Sequence, residues 1–446
     1  MKGVIGHLAL MIVAGPVLGL DRHTVEVDLQ LELRAYTEQA LYASQSDHAA
    51  SLALTPQWYG EWNGGAHSVT FAPFARIEAV DEQRSHNDIR ELHWQGVLGH
   101  WEILLGVSRV FWGRTEVLHL IDTINQDDAL ENLDGEDKLG QPMLRFNYVA
   151  DNGSSTRLFL LPYFRERAFP GREGRFRPPL PIDDGNPLYE SGAEQSHLDW
   201  ALRHQGWVGA LDYGVAWFSG TQRDPKWVPG AVRLTASGPL GPAGATLYGL
   251  ATQLGVGAGA TRELAQPGYQ IESIRPFYGL MDQFSVDAQY TVGDWLFKAE
   301  ALWRDEFNRR GAATNPGIAA RDRYAAASLG FEYTIYGIAG GASDIGVLLE
   351  YLWDERGTRG SGFQNDAFVG ARWAANDVVG TALLAGVVVD LDERSQFYSV
   401  EFSRRIGNRM KLSLEARVLH DISPQDEAFF LVRNDDYLQL ELNWYF

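Results

Sequence analysis

Residues 25–35, VEVDLQLELRA, constrain the fold more than any other stretch. Val25, Val27, Leu29, Leu31, Leu33 and Ala35 share one parity, and Glu26, Asp28, Gln30, Glu32 and Arg34 share the other. That period of two belongs to a strand with one apolar and one wet face; a helix would scatter the same apolar residues around its circumference. The pattern recurs. SLALTPQWYGEW (51–62) aligns Leu52, Leu54, Pro56 and Trp58. WLFKAEALWR (295–304) sets Trp295, Phe297, Ala299, Ala301 and Trp303 against Lys298, Glu300 and Arg304. DAFVGARWA (366–374) and KLSLEARV (411–418) alternate in the same way. About 18 such segments can be marked, near 24–36, 50–62, 66–78, 86–98, 99–112, 142–150, 155–166, 195–205, 207–220, 270–292, 294–307, 321–336, 344–355, 364–375, 379–391, 395–406, 410–420 and 436–446.

Two faces of opposite character cannot both pack into a dry core. In lipid, every backbone N–H and C=O needs an internal partner, so an open sheet edge is costly and closure removes it. The expected fold is therefore all-β: a transmembrane antiparallel β-barrel of about 18 strands (roughly 16–20) with lipid outside and water inside. Connections support this. Asn63–Gly65, Asp151–Ser154, Gly293-Asp294, Asn376-Asp377 and Gly407-Asn408 read as tight turns, alternating with long segments near 113–141, 167–194, 221–269 and 421–435. Short periplasmic turns and longer external loops are the pattern of such barrels. Trp or Tyr near strand ends suits aromatic girdles.

Composition narrows the function classes. The formal charge of −20 argues against nucleic acid as a partner. The absence of Cys excludes disulfides, thiol nucleophiles and thiolate metal sites. MKGVIGHLALMIVAGPVLGL carries one Lys, an apolar run and small residues at Val17-Leu18-Gly19. It reads as a secretory leader over 1–19, followed by a single barrel domain over 20–446.

Leu438, Leu440, Leu442, Trp444 and Phe446 alternate through YLQLELNWYF. This stretch resembles the C-terminal assembly signal of Gram-negative outer-membrane barrels, with Leu442, Trp444 and Phe446 at its matching positions. VFWGRTEVLHLIDTINQDD (110–128) resembles a Trp-Gly…Asp…Asn-x-x-Asp stretch of proteobacterial porin-like proteins similar to the alginate export channel. Trp112, Gly113, Asp122, Asn125 and Asp128 match, while Gln126 stands where many relatives have Pro. The resemblance implies an 18-stranded outer-membrane transport barrel. The partners it implies are outer-membrane lipid and lipopolysaccharide, the barrel-assembly machinery and a polar solute, with the chain as a monomer.

Segment 113–141 is the leading site candidate. It is acidic, yet it carries the apolar strip Val117, Leu118, Leu120, Ile121 and Ile124. Such a loop is expected to fold inward, with its apolar side on the wall and Trp112, Glu116, Asp122, Asn125, Asp127 and Asp128 at a constriction. The acid spacing does not fit an EF-hand, so no metal is expected. By parity, the lumen charges are Glu26, Asp28, Glu32, Arg34, Arg145, Arg157, Arg203, Lys298, Glu300, Arg304, Glu332, Glu350, Arg372, Glu401, Glu415, Arg417 and Glu441. Arg165, Arg167, Arg172, Arg175 and Arg177 form a basic loop, either an anion funnel or a set paired with nearby carboxylates. No G-x-S-x-G or H-E-x-x-H occurs, and no His–Ser–acid spacing requires catalysis, so neither an enzyme nor a cofactor is expected. The expected function is a channel for polar or anionic small solutes or saccharides. The alternatives are a loop-plugged binding or structural barrel and, behind it, an outer-membrane hydrolase.

Overall fold

The computed structural model describes residues 19–132, 134–234, 269–360 and 362–446. The leader expected at 1–19, except Gly19, and most of 221–269 lie outside these residues. Eighteen strands form one sheet. The first nine are β1 (Arg22–Tyr36), β2 (His48–Trp62), β3 (His67–Glu78), β4 (Asn87–Leu98), β5 (Trp101–Ser108), β6 (Gln141–Val149), β7 (Ser155–Leu161), β8 (Asp199–Val208) and β9 (Leu211–Thr221). The rest are β10 (Leu280–Val292), β11 (Trp295–Phe307), β12 (Arg321–Ile335), β13 (Asp344–Asp354), β14 (Asn365–Ala374), β15 (Ala382–Asp390), β16 (Gln396–Ile406), β17 (Met410–His420) and β18 (Tyr437–Tyr445). Each pairs antiparallel with the next, and β18 pairs with β1 through Leu31↔Leu442 and Leu33↔Leu440. Phe446 continues this seam, its N–H donating to the Val27 carbonyl at 3.0 Å. The sheet thus closes into a barrel with no free edge.

The faces follow the parity of the sequence. Leu105, Phe284, Trp303, Leu329, Val369 and Val400 point outward and are exposed, as part of an apolar belt too extensive for a surface in water. Glu32, Arg34, Asp287, Glu300, Ser328 and Glu350 point inward and are buried. Among the described residues, no helix is long and apolar enough to cross a membrane.

One end of the barrel carries tight turns. Gly293, at φ +57°, closes the two-residue turn between β10 and β11, where a Cβ would be strained. The β8–β9 turn lies at Gly209, so both strands sit about three residues later than their sequence pattern suggests.

The other end carries long segments, and here three expected strands shorten. The stretch 99–112 leaves the wall after Ser108, and 155–166 leaves it after Leu161. The stretch 270–292 divides: Leu280–Val292 is wall, whereas Ile274–Tyr278 joins Lys226–Pro229 and Leu188–Tyr189 in a small separate sheet over the mouth. Alternation continues through all three boundaries, so periodicity alone could not mark where the chain leaves the ladder.

Candidate functional site

The chain between β5 and β6 folds into the lumen and crosses it. Val110 leaves the wall with its N–H on Asn125 Oδ1 at 2.9 Å, while Asn125 Nδ2 donates to the carbonyls of Ser108 and Leu139 at 3.0 and 2.8 Å. One buried amide therefore stitches both ends of the loop together. Trp112 packs edge-on against Phe159 and lies under the Arg203 guanidinium, 4.9 Å from its carbon. Arg203 in turn pairs with Asp287 at 2.7 Å, and both lie across Gly214, where a Cβ would stand 2.3 Å from Asp287 Oδ1.

The tip reaches β11 and β13. The N–H groups of Arg114 and Thr115 donate to Glu300 Oε1 at 2.5 and 3.2 Å. Those of Glu116 and Val117 donate to Glu350 at 2.6 and 3.1 Å. Four consecutive backbone donors thus meet two wall carboxylates, a charge-assisted arrangement that fixes the tip. The Glu350 side chain reaches this position by lying over Gly330. Glu116 itself pairs with Arg372 on β14 at 2.6 Å and stands 3.5 Å from Lys298. Strand 5 and strand 14 face each other across an 18-stranded wall, so the loop spans the full lumen.

Its apolar strip fills one side of that span. Ile121 and Ile124 are fully buried in a core with Leu104, Met143, Phe159, Ala201, Phe218 and Met281 from β5–β10. The returning limb is pinned to β1–β4 by charge. Asp128 meets Arg90 at 2.6 Å and His86 at 3.1 Å. Burial alone would raise the Asp128 carboxyl, but these two partners outweigh it and hold it down to about 2. Glu131 meets Arg76 at 2.5 Å. His86, Asp128 and Glu131 could by spacing hold a metal ion, but the Arg76 and Arg90 guanidiniums already supply the positive charge there.

Of the residues expected at a constriction, Glu116 lines open space. Trp112, Asn125 and Asp128 are buried anchors, Asp127 is tied to Lys138 and Arg167, and Asp122 is pushed up to about 6 by burial despite Lys138 beside it. These five therefore differ in position from the expected constriction: each is drawn off the open path into packing or ion pairs. The open space instead meets Asp134 and Glu136 further along the loop. It is a cavity of about 690 Å3 between the loop and β14–β18. Pockets that hold drug-sized ligands span about 300–1,000 Å3. Arg372, Glu415 and Arg417 line it, whereas Arg145, Arg157 and Arg203 lie on the opposite wall. Arg304 holds Gln283 and Tyr324 on β10 and β12. Lys298, Glu300 and Glu350 serve the loop tip.

Above the charged residues, Phe368 lies flat over paired Gly370 and Gly386. A Cβ on Gly386 would stand 2.3 Å from its ring and one on Gly370 2.5 Å. Phe397 and Phe429 stack nearby with centroids 6.0 Å apart. Neither the tip-binding role of Glu300 and Glu350 nor this aromatic shelf was read from sequence. The signals available were a glycine opposite Glu350, the Gly370–Gly386 pair beside Phe368, and apolar residues at lumen parity; Glu300, between Asp287 and Ser328, carried none.

A second segment crosses the mouth. Three of its arginines turn inward to carboxylates, Arg165 to Asp88 at 2.6 Å, Arg167 to Asp127 and Asp224 at 2.9 Å, and Arg175 to Asp435 at 3.1 Å, while Arg177 donates to the carbonyls of Arg172 and Pro178 and to Ser44. Phe176, at φ +58°, donates its N–H to Asp435 and wedges against Tyr437. For Arg165, Arg167 and Arg175 these pairings match the carboxylate-paired alternative for the basic loop; Arg172 and Arg177 have no ion pair among the described residues. His197 reaches Asp199 at 2.8 Å, and that buried carboxylate also pairs with Arg223 at 3.0 Å.

No family model and no curated protein matches the sequence. Solved structures match in fold. The BenF-like porin from Pseudomonas fluorescens Pf-5 is 9% identical with a TM-score of 0.51, over 96% of this chain and 98% of that one. Pseudomonas aeruginosa OccD3 (OpdP) is 9% identical at 0.51, over 96% and 92%. Acinetobacter baumannii OccAB1 is 6% identical at 0.51, over 96% and 97%. The architecture is that of a porin-like closed barrel.

Proposed function

We propose that this chain is a porin-type channel of the bacterial outer membrane, passing small polar solutes through an off-centre path between the inward loop and β14–β18. The observation that carries this is the loop itself: it spans the lumen yet leaves a cavity of about 690 Å3 beside it. The apolar belt supports placement in lipid, with the turn end periplasmic and the loop end external. The porin-like fold supports transport, and 110–128, the stretch similar to the alginate export family, supplies the crossing loop. Lipid and lipopolysaccharide are the surroundings in this reading. The assembly machinery recognises the last strand through Leu442, Trp444 and Phe446, and the barrel works as a monomer.

Reconstitution into planar bilayers tests it. The intact protein is expected to give discrete conductance steps, and deletion of 115–135 larger ones. A barrel that inserts but never conducts would favour the plugged alternative and sink the channel.

A further inference from the structure

The path is layered by cross-strand register. Phe368, Val388, Phe397 and Leu419 share one level, beneath the buried carboxylates Asp366 and Asp390 at the rim. One level deeper are Ser399, Arg417 and Tyr437. Below them come Glu401, Glu415 and Gln439, then Ser413 and Glu441. Within the cavity the aromatic level thus precedes those of Arg417, Glu401 and Glu415, and Asp435, beside it, is paired with Arg175.

The charge is unbalanced. Seven carboxylates and three basic groups line the cavity, a surplus of four negative charges. Two of the basic groups are already committed: Arg372 to Glu116 at 2.6 Å, and Arg417 to Glu401 and Glu415 at 2.7 and 2.9 Å. From outside the lining, Arg175 offsets Asp435 and Lys298 stands near Glu116, which takes the surplus from four to two, and His119 hydrogen-bonds Glu136, which leaves a surplus of one when that imidazole is charged. Asp134 accepts a hydrogen bond from the Glu136 backbone at 3.0 Å, and Glu441 one from Asn443 at 2.5 Å. Neither has an ion-pair partner among the described residues. An entering carboxylate would find the two arginines satisfied, and Lys411, the third basic group, only at the deep end of the path beside Glu441 and Asp28, with surplus negative charge around all three. An entering cation would find open acceptors in a confined space, where a field is focused rather than dispersed.

We infer that the path selects amphipathic organic cations, an ammonium or guanidinium on a small aromatic or aliphatic body, over carboxylates. This rests on the channel reading. The level directly below Phe397 and Phe429 holds Arg417, which is committed to Glu401 and Glu415, so the apolar body lies against the two rings while the charge turns to the loop carboxylate Asp134, which faces Arg417 and Glu415 across the path. Where the sequence pointed to polar or anionic solutes, the lining favours cations, and bare inorganic ions gain from the carboxylates but not from the shelf.

The test uses the whole protein in planar bilayers under a KCl gradient. Expected are a reversal potential showing several-fold preference for K+ over Cl−, and a ratio close to one in Asp134→Asn with Glu441→Gln. Phenethylammonium at millimolar concentration should interrupt the K+ current, with shorter interruptions by butylammonium and none by phenylacetate. Phe397→Ala should shorten the phenethylammonium events without changing the K+/Cl− ratio. Preference for Cl− in the unaltered protein, or equal block by phenylacetate, overturns the inference while leaving the channel intact. Absence of any conductance overturns the channel reading instead, and this inference with it.

Discussion

Phe368 lies flat because two glycines face each other beneath it. In Gly386→Ala the added methyl would meet the ring at 2.3 Å and the Val369 carbonyl at 3.0 Å, so the ring must lift into the path. The expected outcome is a lower single-channel conductance and an overpacking cost of about 1–3 kcal/mol. Conductance should return in the double variant with Phe368→Ala, and failure to return would show that the ring is not the obstruction. Asp134 offers a second residue-level prediction. It sits deep in the barrel but opens on the cavity. Burial, reinforced by the Glu136 charge, pushes its carboxyl up to about 6, against the lowering influence of Arg417 across the path and with Glu415 also raising it. The group is therefore charged above pH 6 and neutral below it. Cation preference should fall as pH drops from 7 to 5, and the part of that fall due to Asp134 should be absent in Asp134→Asn. Reversal potentials across that range provide the measurement. At this scale the sequence told which side of the wall a residue faces, because parity decides it. It could not tell that Glu350 binds backbone N–H groups while Glu401 pairs with Arg417, because parity carries no information about what crosses the lumen.

The inward loop is held at its tip by Glu300 and Glu350. Glu350→Gln keeps one acceptor but turns an amide N–H2 toward one of the two backbone donors. A charge-assisted hydrogen bond contributes about 1.5–3 kcal/mol, so the tip should loosen without unfolding the barrel. Greater open-channel noise and faster proteolysis within 113–119 are expected; unchanged noise and cleavage would remove Glu350 from this role. Acid should act differently on the returning limb. Asp128 is held down to about 2, so its anchoring is present above the ordinary carboxylate range and is lost only as pH falls through about 2. The loop's inward course was legible in its apolar strip, since Ile121 and Ile124 had no other place to be buried. Its point of departure was not, because 109–112 keeps alternating after the ladder ends.

Across the whole barrel, the outward face is solvated by lipid in the proposed setting. Leu329, at the middle of β12, is 54% exposed, and its neighbour Ser328 is fully buried. Leu329→Arg should therefore cost about 2–4 kcal/mol at mid-membrane. Urea titration of the folded fraction in liposomes measures it, and a cost near zero would argue against a mid-membrane position. The eighteen strands were readable because closure, alternation and turn spacing impose the same rhythm on every part of the chain. The small sheet over the mouth was not, because its strands are short and pair across long sequence distances.

The diameter drawn by the inward loop makes the two halves of the circumference mechanically unlike. On one arc, β5–β10 are backed by packed side chains and behave as a keel. On the other, β14–β18 stand unbacked, and a permeating molecule passes between them and the acidic edge of the loop: the cylinder is in effect a half-pipe. Inward substitutions on the keel should register as melting temperature, and those on the half-pipe as throughput. A scan of the lumen would then separate into two maps that barely overlap.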